Sequence, residues 1–104
     1  MISIDLSDQQ LAIVAGILKD HLQPGTRAWV FGSRATGKAR RFSDLDVALE
    51  AETLIDSRML GALAEALSES DLPFKVDLVD LREADPAFRA RIAPEMTAFP
   101  IPHV

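Results

Sequence analysis

The stretch that decides the fold runs from Ala28 to Leu49 and reads AWVFGSRATGKARRFSDLDVAL. Its apolar start, residues 28–31, predicts a buried strand that ends at Gly32 and Ser33, where the backbone must turn. After a basic loop, Asp44 and Asp46 alternate with apolar residues. Because strand side chains have a period of two, both carboxylates are expected on one face of a second strand. The stretch therefore predicts two strands that carry a turn and a pair of acids at one end.

These residue types suit a nucleoside triphosphate and its metal ions. Mg²⁺ prefers a few carboxylate oxygens together with substrate phosphates and water, which Asp44 and Asp46 can supply. Gly32 lets the backbone approach a phosphate closely, and Ser33 offers a hydroxyl and an N–H. Basic side chains in the loop can neutralise a polyphosphate, namely those of Arg34, Lys38, Arg40 and Arg41.

The spacing carries more information than either motif alone. An isolated Asp-x-Asp or Gly-Ser pair is common, but here ten residues separate Ser33 from Asp44. A Walker loop is not indicated, because its Gly-Lys-Ser/Thr ending is missing. The combination of both motifs therefore points to phosphoryl chemistry of another type.

The segments Phe31-Gly-Ser-Arg-Ala-x-Gly37 and Ser43-Asp-Leu-Asp-Val47 resemble the minimal nucleotidyltransferase (MNT) branch of the DNA polymerase beta-type nucleotidyltransferase superfamily. The resemblance implies a polymerase beta-like fold and a third metal-binding carboxylate on the next strand. It also implies a partner, because many small proteins of this branch pair with a HEPN-domain toxin.

The third carboxylate is expected on a strand over Lys75–Leu81, which contains two acids. Asp77 and Asp80 are an odd number of residues apart, so they face opposite ways. Asp77 is selected because its apolar neighbours predict an enclosed carboxylate that needs a cation, whereas Asp80 lies near the strand end where water suffices. The family pattern falls on Asp77 as well. The alternative is that Asp77 merely faces water.

The rest of the chain predicts an α/β fold, with a small mixed sheet of three to four strands flanked by helices in the order α-β-(turn)-β-α-β-α. A capping box at Ser7 and Gln10 begins the first helix, Asp56 or Ser57 caps the second, and Asp85-Pro86 begins the last. A strand–helix–strand connection predicts that strands two and three are parallel. The apolar tail around Phe99 and Ile101 is either an edge strand or an arm, packed on its own domain or on a partner.

Composition limits the classes of function. A chain of 104 residues without a membrane-length apolar run predicts one soluble domain, 1–104, for which the cytoplasm is the default location. The net charge of −5 argues against general affinity for nucleic acid or membranes. Four of the eleven Lys and Arg nevertheless lie within residues 34–41, which suits a small polyanionic substrate.

The expected activity is Mg²⁺-dependent nucleotidyl transfer. The phosphates of ATP or another NTP would lie against Gly32, Ser33, Arg34 and Lys38. Two Mg²⁺ would be held by Asp44, Asp46 and Asp77, and Asp77 would help to deprotonate the attacking hydroxyl. The resemblance implies that AMP goes to a tyrosine of a HEPN toxin, with this protein as antitoxin. Two alternatives remain: nucleotidylation of a small molecule, as in aminoglycoside resistance, and a non-catalytic antitoxin that occludes its toxin.

Overall fold

The computed structural model describes residues 4–102 as one four-stranded mixed sheet with helices on both faces. The bounds in chain order are α1 Asp8–His21, β1 Arg27–Phe31, α2 Ser33–Thr36, β2 Leu45–Glu50, α3 Ser57–Ser68, β3 Val76–Asp80, α4 Pro86–Ile92, a 3₁₀ turn Ala93–Glu95, and β4 Thr97–Phe99. The strand order is β3-β2-β1-β4, in which β2 and β3 are parallel and the other two pairs are antiparallel. This confirms the predicted fold class.

Each long helix begins where the sequence predicts it. The Ser7 hydroxyl accepts from Gln10 N at 3.1 Å while Gln10 Oε1 accepts from Ser7 N at 3.0 Å, which completes the capping box of α1. Asp56 caps α3 through a 2.8 Å bond from Arg58 N, which resolves the choice between Asp56 and Ser57. Such caps stabilise a helix by about 1 kcal/mol each, because they satisfy N–H groups that have no intrahelical partner.

The sheet is covered on both faces. On one face, α1 and α3 pack against alternate residues of the strands, and side chains such as Val14, Leu63 and Val47 are fully buried. On the other face, a smaller cluster formed by Phe31, Ala48, Leu81 and Ile92 lies beneath α4. Asp46 belongs to this second face by its parity with Ala48. Asp46 therefore lies on the same sheet face as the cluster beneath α4.

The tail forms an edge strand. Thr97–Phe99 pairs antiparallel with β1, so that Phe99 lies opposite Ala28. Phe99 is buried and Ile101 packs against the main core, so both belong to their own domain. An edge strand this short presents little free backbone for unwanted pairing. None of the helices within residues 4–102 has the length and apolarity required for a membrane span.

The structure corrects several details. Ser33–Thr36 forms a short helix where only a turn was predicted, β2 begins at Leu45 rather than Asp44, and β3 is shorter at both ends than Lys75–Leu81. Asp80 is also not a solvated residue. Only 9% of it is exposed, and its two carboxylate oxygens accept from Ile55 N at 3.2 Å and Arg82 N at 3.0 Å. Asp80 is therefore a structural acceptor for the connection between β2 and α3 and for the one that follows β3.

Candidate active site

The parallel pairing of β2 and β3 brings two of the predicted acids together. Asp46 and Asp77 are register partners on neighbouring strands, so their side chains leave the same face of the sheet side by side. Asp46 is also paired with Phe31, the residue before Gly32, on its other side. Asp44 is exposed and precedes the first residue of β2. The central strand thus places Asp46 between the Gly32 turn and Asp77.

Gly32 is required by the geometry of this turn. Its φ of 77° and ψ of −156° lie in a region that only glycine occupies readily. A Cβ on Gly32 would also overlap Asp46 Oδ2 and lie 3.3 Å from Asp46 Cγ. Gly32 therefore permits both the turn and the position of the Asp46 carboxylate against it.

We expect Gly32→Ala to lower the free energy of unfolding and to displace the Asp46 carboxylate. The strained backbone alone costs on the order of 1–3 kcal/mol, and the steric overlap adds to it. Gly25→Ala is the matched control, because Gly25 also has a positive φ of 90° but an added Cβ meets nothing within 4 Å. Urea denaturation should show both variants destabilised, with Gly32→Ala the more severe and alone in losing enzymatic activity. Equal behaviour of the two variants would contradict the role of Gly32.

Ser33 begins α2, so its N–H has no intrahelical acceptor. The carbonyl of Gly32 is already used, since it accepts from Ala35 N, Thr36 N and the Thr36 hydroxyl. The turn therefore offers a phosphate the Ser33 N–H rather than the Gly32 carbonyl oxygen. Whether Gly32 and Ser33 bind nucleotide remains a prediction.

Arg34 does not face the site, which corrects its assignment to the phosphate-binding set. Only 4% of Arg34 is exposed, and its guanidinium lies 4.0 Å from the centre of the Phe74 ring. Its nitrogens donate to four backbone carbonyls, those of Ser43 at 3.0 Å, Asp5 at 2.8 Å, Arg41 at 3.2 Å and Arg40 at 3.5 Å. A guanidinium engaged in this way holds the loop and the N-terminal segment together, and is not free for a phosphate.

The basic loop is ordered by this contact. Ser43 closes a turn with Arg40, because its hydroxyl accepts from Arg40 N at 2.8 Å and its N–H donates to Arg40 O at 3.1 Å. The side chains of Lys38, Arg40 and Arg41 remain exposed on this loop, and Arg41 lies over the exposed Phe42 ring. Three of the four predicted cations are therefore available to a polyanion.

Glu95 is a fourth acid of the site, and the sequence reasoning missed it. Its Oε1 accepts a 2.8 Å hydrogen bond from Gly32 N. Glu95 lies at the end of the 3₁₀ turn after α4, 63 residues away from Gly32 in sequence. No local spacing connects the two residues, so no pattern could have identified this contact.

The clustered acids disfavour the ionised form of Asp46. Burial raises the pKa of Asp46 above its usual range, and the negative charges of Asp77, Asp44 and Glu95 raise it further. A cation bound among these side chains would relieve both effects. The arrangement thus has the electrostatic character of a cation site.

We expect Asp46→Asn to increase the stability of the metal-free protein at neutral pH. The folded-state pKa of Asp46 is raised, so its contribution to stability is fully present below the unfolded pKa and is lost as the pH rises through the folded pKa. Asn carries no charge, so the variant does not lose stability in this way. Its free energy of unfolding should exceed that of the parent protein most at pH 7, and the difference should shrink as the pH falls toward 4. Urea denaturation at the two pH values, with the exposed Asp71→Asn as a control of equal charge change, measures the effect. A variant that is less stable at pH 7 would contradict the repulsion.

Asp77 is more accessible than the sequence suggested. Its side chain is 41% exposed, and Oδ1 lies 3.3 Å from Lys75 Nζ, so the predicted enclosure by apolar neighbours was wrong. The Lys75 ammonium group forms a surface ion pair with this carboxylate, and a pair of this kind contributes little stability. An exposed Asp77 is open to an incoming substrate.

The donor set fits a hard divalent cation. Carboxylate oxygens are the ligands that Mg²⁺ prefers, and Asp44, Asp46 and Asp77 provide them around one end of β2. Across residues 4–102, no three acidic, histidine or cysteine side chains are grouped so that they could already hold a metal ion. The binding of metal by these three residues therefore stays a prediction.

A family profile described as "Polymerase beta, Nucleotidyltransferase" matches residues 14–97, which include strands β1 to β3, the Gly32 turn, the basic loop and all four acids of the site. The chain belongs to the polymerase beta nucleotidyltransferase family. It is thus a nucleotidyltransferase, and enzymes of this family generally use an NTP and a divalent metal ion.

Individual relatives make the comparison more specific. The nucleotidyltransferase domain is 45% identical over 86 residues to a probable protein adenylyltransferase MntA of Haemophilus influenzae, which covers 83% of this chain and 75% of the relative. A protein adenylyltransferase MntA of Shewanella oneidensis is 38% identical over 68 residues, or 65% of this chain and 48% of that protein.

The fold has a counterpart of known structure. A chain of a crystal structure described as a toxin–antitoxin with AMP-PNP matches with a TM-score of 0.74 and 28% identity, covering 89% of this nucleotidyltransferase and 74% of that chain. The predicted polymerase beta-like fold and the resemblance to the MNT branch are thereby confirmed.

Proposed function

We propose that this nucleotidyltransferase transfers AMP from ATP to a tyrosine hydroxyl of a cognate HEPN toxin, and thereby acts as an antitoxin. The observation that carries the proposal is the register of Asp46 with Asp77, which puts two carboxylates side by side next to the Gly32 turn. The protein adenylyltransferase names of the two relatives and the toxin–antitoxin match support the choice of a protein acceptor.

Each group of the site has a role in this reaction. Asp44, Asp46 and Asp77 would hold two Mg²⁺, which would supply charge neutralisation for the triphosphate. Gly32 lets the phosphates approach the backbone closely, and Ser33 and the exposed Lys38 bind them. The hydroxyl oxygen of the acceptor bonds to the α-phosphorus while the bond to pyrophosphate breaks, and Asp77 accepts the hydroxyl proton. Its 41% exposure gives a large acceptor access to that carboxylate.

The acceptor is proposed to be a protein because the site is open. Asp44, the loop cations and Phe42 all lie on exposed surface at one end of the sheet, and 63% of Phe42 is exposed. A small molecule is usually bound in a concave pocket that covers most of its surface. A folded partner can instead cover this end of the sheet and exclude water from the reacting groups.

We expect a substoichiometric amount of the protein, with ATP and Mg²⁺, to inactivate the HEPN toxin, and the toxin to gain mass in units of AMP. A catalyst turns over, whereas an occluding antitoxin must be supplied at a fixed molar ratio and acts without ATP. Intact-mass spectrometry of the toxin at a low ratio of antitoxin to toxin distinguishes the two. Protection that scales one to one with added protein, without a gain in mass, would favour occlusion instead.

A further inference from the structure

Glu95 lies at the point where the last part of the chain meets the site turn. Its carboxylate reaches the Gly32 N–H from the 3₁₀ turn Ala93–Glu95, at a distance of 2.8 Å. Gly32 in turn lies so close to Asp46 that a Cβ would overlap the Asp46 carboxylate. A chain of contacts therefore runs from Glu95 through Gly32 to Asp46.

The segment that carries Glu95 is held in place by packing. Ile92 is buried at the end of α4, and the Phe88 ring packs edge to face on the Phe31 ring with centroids 5.9 Å apart. Phe31 immediately precedes Gly32. On the other side of Glu95, Thr97 pairs with Val30 in the sheet. Contacts on both sides thus hold Glu95 in place relative to the turn.

We infer that Glu95 is a positioning residue, which fixes the Gly32 turn and through it the Asp46 carboxylate by accepting the Gly32 N–H. The inference rests on the proposed site, because it gives Glu95 an effect on transfer without contact with the reacting atoms. Glycine has the widest choice of backbone conformations of any residue, so contacts with its surroundings must select the one with φ 77° and ψ −156° at Gly32. The Glu95 hydrogen bond is a directional contact of this kind.

This role requires a hydrogen-bond acceptor rather than a negative charge. Gln keeps an acceptor oxygen at the same position, whereas Ala removes it. A residue that acted through its charge, as a metal ligand does, would lose its effect in Glu95→Gln. If Glu95 only occupied the place of a phosphate, its removal would free that place, and Glu95→Ala would bind ATP more tightly.

The test compares Glu95→Gln and Glu95→Ala by two readouts. The first is the amide resonance of Gly32 and its hydrogen exchange, measured in the protein without ATP. We expect the Gly32 amide to lose protection about tenfold or more in Glu95→Ala and to keep it in Glu95→Gln. The second is AMP transfer with kcat and KM for ATP separated, where kcat should fall about tenfold in Glu95→Ala and recover in Glu95→Gln. Glu83→Ala, at an exposed position in the connection before α4, is the control.

Each outcome decides the inference. Equal losses in Glu95→Gln and Glu95→Ala would show a role of charge, and a lower KM for ATP in Glu95→Ala with unchanged kcat would show that Glu95 only blocks the turn. Either result overturns positioning. If the wild-type protein transfers no AMP, the proposed function fails, but the Gly32 amide still reports whether Glu95 holds the turn. An unchanged Gly32 amide in Glu95→Ala refutes the inference by itself.

Discussion

Asp46→Asn is expected to abolish AMP transfer while leaving a folded protein that is more stable than the parent. Asp46 lies on β2, with the Gly32 turn on one side and Asp77 on the other. Its carboxylate is therefore adjacent to both. In the proposed function Asp46 would hold a catalytic metal ion, and the loss of such a ligand should remove about 4 kcal/mol or more of transition-state stabilisation, which lowers the rate by about a thousandfold or more.

The control for this variant is Glu50→Gln. Glu50 lies on the same strand and the same face, at the far end from the turn, and its Oε1 accepts from Trp29 Nε1 at 3.2 Å. Gln retains that acceptor, so transfer should be unchanged. Labelled ATP with the toxin as acceptor measures the rates, and urea denaturation confirms that both variants fold. If Asp46→Asn transferred AMP at the wild-type rate, Asp46 would not be a catalytic residue.

Arg34→Met is expected to have the largest effect on stability. The substitution leaves four backbone carbonyls without their charged donor in a region where Arg34 itself is only 4% exposed. Because a hydrogen bond to a charged group contributes about 1.5–3 kcal/mol, and an unsatisfied buried group costs a similar amount, the loss should be about 3 kcal/mol or more. A protein of this size has only about 5–15 kcal/mol of stability in total.

Arg34→Lys should not rescue the protein. A lysine presents its donors from one atom and cannot span the carbonyls of Asp5, Arg41 and Ser43 as the guanidinium does. Trypsin provides a local readout, because it should cut at the exposed Arg40 and Arg41 faster once the loop loses its anchor. Arg41→Met, which changes an exposed side chain, should alter stability by less than about 0.5 kcal/mol. Similar stability losses for Arg34→Met and Arg41→Met would show that Arg34 is not an anchor.

The sequence predicted those parts of the fold that local rules govern. The period of two placed Leu45 and Val47 in the core opposite Asp46, and side-chain caps set the starts of α1, α3 and α4. The parity argument also separated Asp77 from Asp80 correctly, since Val79 and Leu78 on the same strand belong to different core clusters. In each case the outcome depends on residues within a few positions of one another.

The direction of a charged side chain could not be predicted in the same way. Arg34 belongs to a cluster of four cations in sequence, and nothing in that cluster marks it as the one that turns inward to loop carbonyls and Phe74. The position of Asp80 at a strand end predicted a side chain that faces water. Its carboxylate instead accepts a hydrogen bond from Ile55 N in the loop before α3. Both errors arise because the partners come from distant segments whose approach only the tertiary fold determines.

The pairing of Gly32 with Glu95 has a consequence for synthesis. A chain emerges from the ribosome N-terminus first, at roughly 5–20 residues per second, so the 63 residues between the two partners correspond to a delay of about 3–13 s. During this interval β1 and β2 can already form their hairpin, since contacts near in sequence form first. The nascent hairpin therefore carries Asp44 and Asp46 beside an unanchored turn, and the site acquires its final geometry only after Glu95 has left the exit tunnel.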